Sequence, residues 1–177
     1  MPGVYVCGGV IRSFYDETKV SDIDLYFMDS DVRDLVNSLL ASSKNHPYKH
    51  KIDTVNASTF ECPEYPPIQL CRRHGSLKEV VKGFDFTICK FGIESLSTFM
   101  RGTRTMEDIT EKRLIYTGGM SALGSLHRAF KYANKGYKMR RGVLMDLLRE
   151  IGDVDDLDEE YINTHLGGGV NIESGSY

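Results

Sequence analysis

The sequence predicts an α+β fold, a small mixed sheet with flanking helices followed by a helical region. Two observations predict it. Through about residue 95, short strand-like runs alternate with brief helices, and from about Thr105 onward the hydrophobic pattern is helical. No internal repeat interrupts that order. The 177 residues suffice for one ordinary domain, or a compact domain with a small helical appendage. We divide them into residues 1–100, residues 101–165, and a Gly- and Ser-rich tail at 166–177 that is expected to be flexible.

Val4–Cys7 reads as a short apolar strand, which Gly8-Gly9 breaks into a helix reaching about Tyr15. Asp22–Met28 alternates with period two: Ile23, Leu25 and Phe27 face one way, and Asp22, Asp24 and Tyr26 the other. That is a half-buried strand with its polar side at a cleft. Asp31–Ser42 is an amphipathic helix with Val32, Leu35, Val36, Leu39 and Leu40 at helical spacing and Ser30 as N-cap. Lys49–Val55, Ala57–Cys62 and Ile68–Cys71 read as strands, the last two joined by the turn-prone Pro63-Glu64-Tyr65-Pro66-Pro67. Leu77–Val81 is a short helix and Phe84–Lys90 a further strand. Ser121–Asn134 and Met139–Ile151 are the longest helices of the second half.

The composition, 41% hydrophobic and 27% charged, describes a soluble globular protein. No apolar run approaches the roughly 20 residues of a membrane span, so no membrane partner is expected. The N-terminus has no basic region before an apolar segment and does not read as a secretory signal. Cys7, Cys62, Cys71 and Cys89 show no C-x-x-C spacing and read as reduced core thiols of a cytoplasmic protein. The net charge of -3 is unevenly spread: -2 over residues 1–100, +7 over 101–141 and -8 over 142–177. The basic segment suits an anionic partner such as nucleic acid or a triphosphate, and equally a basic face neutralised by the acidic tail.

Asp22 and Asp24, at i and i+2 on a strand, emerge on the same face. Two carboxylates so placed repel unless a cation sits between them. Mg²⁺ suits such a site because it takes oxygen ligands, retains waters and is commonly shared with substrate phosphates. Alone, the pattern also fits two solvated acids on a sheet edge. Two further features favour the metal. Gly8 and Gly9 leave the backbone bare, so it can come close to a phosphate. Phe84-Asp85-Phe86 places an acid between aromatics; with both rings in the core, Asp85 would face the same cleft and complete a two-ion site.

These residues resemble the polymerase-β-type nucleotidyltransferase superfamily, and within it the head and neck of CCA-adding enzymes and bacterial poly(A) polymerases. The head motif G-G-x-x-R-D followed by D-I-D-L is matched by Gly8-Gly9-Val10-Ile11-Arg12 and Asp22-Ile23-Asp24-Leu25. The segment R-R-D-F-T-I-N-A is echoed by Gly83-Phe84-Asp85-Phe86-Thr87-Ile88-Cys89. The neck pattern R-A-x-R-F-A-x-x-x-G-F is similar to Arg128-Ala129-Phe130-Lys131-Tyr132-Ala133-Asn134-Lys135-Gly136-Tyr137. Together these span about residues 5–140. There are departures: Ser13 follows Arg12 in place of Asp, and Cys89 replaces the asparagine. Lys82-Gly83 stands where an arginine pair is expected, with Arg72-Arg73 about a dozen residues upstream. The chain also ends soon after the neck, which argues against tRNA recognition through the usual body and tail domains.

The resemblance implies residues 1–100 as catalytic domain and 101–165 as a helical neck. It implies transfer of a nucleoside monophosphate from an NTP, ATP included, to a hydroxyl, with release of pyrophosphate. Asp22, Asp24 and Asp85 would hold two Mg²⁺ ions, with Mn²⁺ as a substitute. Gly8, Gly9, Arg12, Arg113 and Arg128 would bind the nucleotide. Arg128, Lys131 and Lys135 share one helix face, with Leu123, Leu126, Phe130 and Ala133 expected on the buried side. Lys131, Lys135, Lys138, Arg140 and Arg141 are the candidates to hold the phosphates of an RNA acceptor, a tRNA-like 3′ end. A transferase of the toxin or defence type, modifying tRNA or a protein, is the alternative, as is a non-catalytic nucleic-acid-binding module. The five histidines show no catalytic or metal spacing, and no P-loop is present.

Overall fold

The computed structural model describes residues 2–42, 46–155 and 157–166, so the expected flexible tail beyond Leu166 lies outside the described residues. Val4–Cys7 (β1) leads into Gly9–Tyr15 (α1), Ile23–Phe27 (β2) and Ser30–Ser42 (α2). Lys49–Asp53 (β3), Ala57–Glu61 (β4) and Ile68–His74 (β5) follow, then Leu77–Lys82 (α3) and a single 3-10 turn at Thr87–Cys89. Phe91–Ser95 (β6) and Thr98–Arg101 (β7) form a hairpin ahead of Thr105–Thr110 (α4) and the two-residue strand Arg113–Leu114 (β8). Ala122–Ala133 (α5), Lys138–Met139 (β9), Arg141–Gly152 (α6) and Glu159–Leu166 (α7) complete the described chain.

Seven strands form one mixed sheet in the order β3-β4-β5-β2-β1-β6-β7, and helices flank it, as the sequence predicts. β2 pairs antiparallel with β1 and parallel with β5, which sets Asp24 opposite Cys7 on one side and Gln69 on the other. The inward alternation of Leu25 and Phe27 packs with Phe60 and Leu70 under Val32, Val36 and Leu40 of α2. Because side chains alternate across a strand, α2 leaves the opposite face, carrying Asp24, Tyr26, Gln69 and Cys71, open to a cleft. A larger core joins Ile11 of α1 and Phe86, Ile88 and Phe91 to Ala129 of α5 and Leu147 of α6. The helical second half thus shares its apolar core with the sheet. Among the described residues, no helix is long and apolar enough to cross a membrane.

Several elements differ from their expected form. α2 starts at Ser30 itself, and the capping oxygen comes from Asp29, whose Oδ1 accepts from the Val32 amide at 2.9 Å. The segment expected as a strand over Phe84–Lys90 is a bend and a 3-10 turn; Phe86 alone makes a bridge, to Tyr116. On α5 the buried stripe is small residues, Ala122, Gly124, Ser125 and Ala129, with Tyr132, whereas Phe130 is 55% exposed. Small side chains let this helix lie close to the 84–87 segment.

Arg12 is 1% exposed and ties α1 to the helical half. Its Nη1 donates to Asp16 Oδ2 at 2.5 Å and to Thr18 Oγ1 at 3.2 Å, and Nη2 donates to Ser13 Oγ at 3.0 Å. The rings of Tyr132 and Tyr137 lie 5.3 and 5.9 Å from the guanidinium carbon, within cation–π range. Tyr137 Oη also donates to Asp16 at 2.7 Å. Burial pushes the Asp16 carboxyl up, but hydrogen bonds from Thr18 and Tyr137 and the charges of Arg12 and Lys112 outweigh it, leaving a pKa of about 2. Removing one partner of such a pair strands the other. Asp16→Asn is therefore expected to lower unfolding free energy at pH 7 by about 3 kcal/mol, read by urea denaturation. Since the folded pKa is depressed, the wild type loses this contribution as pH falls from about 4 towards 2, and the variant shows no such slope.

Candidate active site

The open face of the sheet forms the floor of a cavity of about 560 Å³. Its walls come from the α1 start, the 83–85 segment and α5; Arg72 and Arg73 of β5 line another side. Gly8 sits at φ 75°, a left-handed conformation that suits glycine. A Cβ there would lie 3.1 Å from the Phe84 ring and 3.9 Å from Asp24 Oδ2, whereas nothing lies within 4 Å of a Cβ built on Gly9. Gly8 is therefore packed against Phe84 beside Asp24, while Gly9, with open space at its Cβ position, lines the cavity. α7 approaches from the far side: Asn56 Nδ2 donates to Thr164 O at 3.5 Å, and His165 O would lie 3.0 Å from a Cβ on Gly124.

Asp24 lies on β2 and Asp22 just before it; both line the cavity. Burial pushes the Asp24 carboxyl up to about 7, the charge of Asp22 adds to this, and Lys131 and Arg128 offset it in part. The nearest cation to Asp22 is Lys131 Nζ at 4.0 Å. Two hard oxygen donors in mutual repulsion, with the open backbone of Gly9 in the same cavity, fit a divalent cation shared with phosphate.

Asp85 is placed differently from its expected role as third metal ligand. It is 5% exposed, and its Oδ2 accepts from Arg128 Nε at 2.7 Å and from Ser125 Oγ at 2.9 Å. Its charge is matched by the Arg128 guanidinium. Among the described residues, no three acid, His or Cys side chains gather as a metal cluster. The same bond leaves the Nη ends of Arg128 as further donors at the cavity wall, with Nη2 also donating to Ser125 Oγ at 3.3 Å. Ser125 carried no signal in the sequence beyond lying three residues before Arg128. Gly119 is also needed here, since a Cβ would come within 2.7 Å of Ser125 Oγ.

Of the other expected site residues, Lys131 and Lys135 line the cavity with Arg128. Burial and the charges of Arg12 and Lys131 hold the Lys135 ammonium below its ordinary pKa. Arg12 borders the cavity, and its Nη groups bond Asp16, Ser13 and Thr18. Arg113 is bound by Asp108 at 2.9 Å and Glu111 at 2.8 Å and does not line the cavity. Lys138, Arg140 and Arg141 are exposed outside it, around β9 and the start of α6.

The fold, with its mixed sheet and flanking helices, is similar to that of solved tRNA-processing and CCA-adding enzymes. A tRNA-processing enzyme in an apo form superposes with a TM-score of 0.60 at 20% identity, over 85% of this chain and 42% of that one. A Thermotoga maritima CCA-adding enzyme complexed with tRNA does so at 0.58 and 15% identity, over 85% and 38%. A tRNA nucleotidyltransferase complexed with a primer tRNA and an incoming ATP analog gives 0.57 and 18%, over 85% and 47%. The chain spans less than half the length of these solved structures. Its own family is given by a family model that matches residues 1–112: the chain belongs to the Gabija anti-defense 2 family. No curated protein matches the sequence.

Two outcomes follow from the two kinds of carboxylate. Asp24 has a raised folded pKa, so the metal-free fold loses stability as pH rises from about 4 to about 7. Asp24→Asn is expected to abolish that slope and to raise Tm at pH 8 in chelator, by thermal denaturation. Asp85→Asn is expected to leave Mn²⁺ affinity unchanged, by paramagnetic resonance titration, while weakening NTP binding about 10-fold through a misplaced Arg128. A loss of Mn²⁺ affinity in Asp85→Asn would instead make Asp85 a ligand.

Proposed function

We propose that this protein is a metal-dependent nucleotidyltransferase that moves a nucleoside monophosphate from an NTP to a hydroxyl acceptor, with an RNA 3′ end as the leading acceptor. The observation that carries the reading is the floor of the cavity. Asp22 and Asp24 share it, among the described residues, with no cation closer than 4.0 Å to Asp22, beside Gly8 and the open backbone of Gly9. Asp22 and Asp24 would hold Mg²⁺ or Mn²⁺. When bound, such an ion supplies charge that neutralises the triphosphate and lowers the pKa of the acceptor hydroxyl.

The chain's own residues do the rest. Gly8 and Gly9 admit the phosphates close to the backbone. Arg128, oriented by Asp85 and Ser125, meets the charge that develops as the bond from the α-phosphorus to the pyrophosphate oxygen breaks and the bond to the acceptor oxygen forms. The acceptor's proton passes to solvent. Lys131 and Lys135 add positive charge along the same wall, and Lys138, Arg140 and Arg141 extend a basic surface over which an acceptor strand would run. In this reading residues 1–100 are the catalytic unit and 101–165 a neck that supplies the basic wall.

A second reading concerns the acceptor. The name of the family, Gabija anti-defense 2, favours a transferase that modifies tRNA or a protein in a conflict over a defence system. Purified protein incubated with α-labelled NTPs, Mg²⁺, total RNA and a protein extract separates the two readings by the pool that takes up label. Asp22→Asn and Asp24→Asn are each expected to lower labelling and pyrophosphate release by on the order of 100-fold or more. Undiminished transfer in both variants would remove the carboxylates from the mechanism. Absence of pyrophosphate release at any Mg²⁺ or Mn²⁺ concentration would leave a non-catalytic nucleic-acid-binding module.

A further inference from the structure

We propose that Arg73 is a phosphate-binding residue of the cavity, delivered by β5 to the position beside Asp85 where the chain lacks an arginine pair. The proposal rests on the nucleotidyltransferase reading. Lys82-Gly83 precedes Phe84-Asp85 in the sequence, so no guanidinium arrives from that segment. In the fold, Arg73 Nη1 donates to Gly83 O at 3.1 Å and Nη2 to Glu79 O at 3.3 Å. A Cβ on residue 83 would lie 1.7 Å from Nη2 and 2.4 Å from Cζ. Glycine at 83 is what admits the guanidinium, and both residues line the cavity.

The two carbonyls hold the side chain without neutralising it. Arg72 is paired with Asp53 at 3.1 Å and Arg128 with Asp85 at 2.7 Å, but among the described residues no carboxylate oxygen lies within 4.0 Å of an Arg73 nitrogen. A half-buried guanidinium that is fixed in place, uncompensated and at a cavity wall is suited to phosphate oxygens, to which its planar fork offers paired donors. The position favours the phosphates of the donor. Gly83 adjoins Phe84, whose ring packs against Gly8 beside Asp24. Arg73 and Arg128 thus flank the 83–85 segment, one bound to Gly83 O and the other to the Asp85 carboxylate. A triphosphate lying along that segment meets a guanidinium on each side.

The test uses the full chain with Mg²⁺ and three probes in isothermal titration: inorganic tripolyphosphate, an α,β-methylene ATP analogue and a single-stranded RNA 12-mer. Arg73→Gln keeps an amide donor for the carbonyls and removes the charge. It is expected to weaken tripolyphosphate and the ATP analogue about 10-fold and to leave RNA binding unchanged. Gly83→Ala displaces the flexible end of Arg73, and is expected to weaken the same two probes to a smaller extent with the fold intact by circular dichroism. Unchanged affinity of Arg73→Gln for both phosphate probes overturns the proposal, as does a loss confined to RNA, which would assign Arg73 to the acceptor. If the wild type itself binds neither tripolyphosphate nor the ATP analogue, the nucleotidyltransferase reading falls with it.

Discussion

The contact between Asp85 and Arg128 is the one on which the rest of the site depends. It joins a bend of the sheet half to α5 of the helical half through a short charge-assisted bond, with Ser125 closing the triangle. Held by that bond, α5 forms one wall of the cavity and brings Lys131 and Lys135 to it, with Asp22 and Asp24 on the floor. The small residues of its buried stripe make the approach possible. A larger side chain at Gly119 would push it away from Asp85, and one at Gly124 would meet the His165 carbonyl of α7. The cavity is thus a product of packing between the two halves, and neither half alone forms it.

Charge is distributed over this cavity with a consistent logic. Internal ion pairs satisfy Arg12, Arg113 and Asp85, which fixes the scaffold. Among the described residues, Asp22 meets no cation nearer than Lys131 at 4.0 Å, and Arg73 at the wall meets no carboxylate within the same distance. Two neighbouring carboxylates repel, as do neighbouring cations, and the cations facing Asp24 offset only part of that cost; in the proposed function a metal–triphosphate complex would relieve both. Burial, with the charge of Asp22 adding to it, raises the Asp24 pKa.

Much of this was legible in the sequence because it rests on local pattern. The period-two run through Asp24 needs only alternation, and Gly8-Gly9 after a short strand announces both the turn and the bare backbone. What failed to show depended on distant partners or weak turn chemistry. The β6–β7 hairpin turns at Leu96-Ser97, which carries none of the Asn-Gly or Asp-Gly signals of a tight turn. Phe84–Lys90 alternates like a strand, yet finds only one bridging partner. Arg12 looked only like a ligand contact, although Asp16 four residues on was a visible partner for it. Arg73 was hidden because its contact with Gly83 O spans ten positions in sequence.

The central claim is that Asp22 and Asp24, with Asp85 held back by Arg128, form the cation seat of a nucleotide site. A crystal structure of the protein grown with Mn²⁺ and a non-hydrolysable NTP analogue tests it most directly, through the anomalous signal of the metal. If Asp22 and Asp24 hold the cation, the anomalous peak lies beside both carboxylates and the nucleotide, with the Arg128–Asp85 pair intact. A peak elsewhere, or a nucleotide bound away from this carboxylate pair, would contradict it.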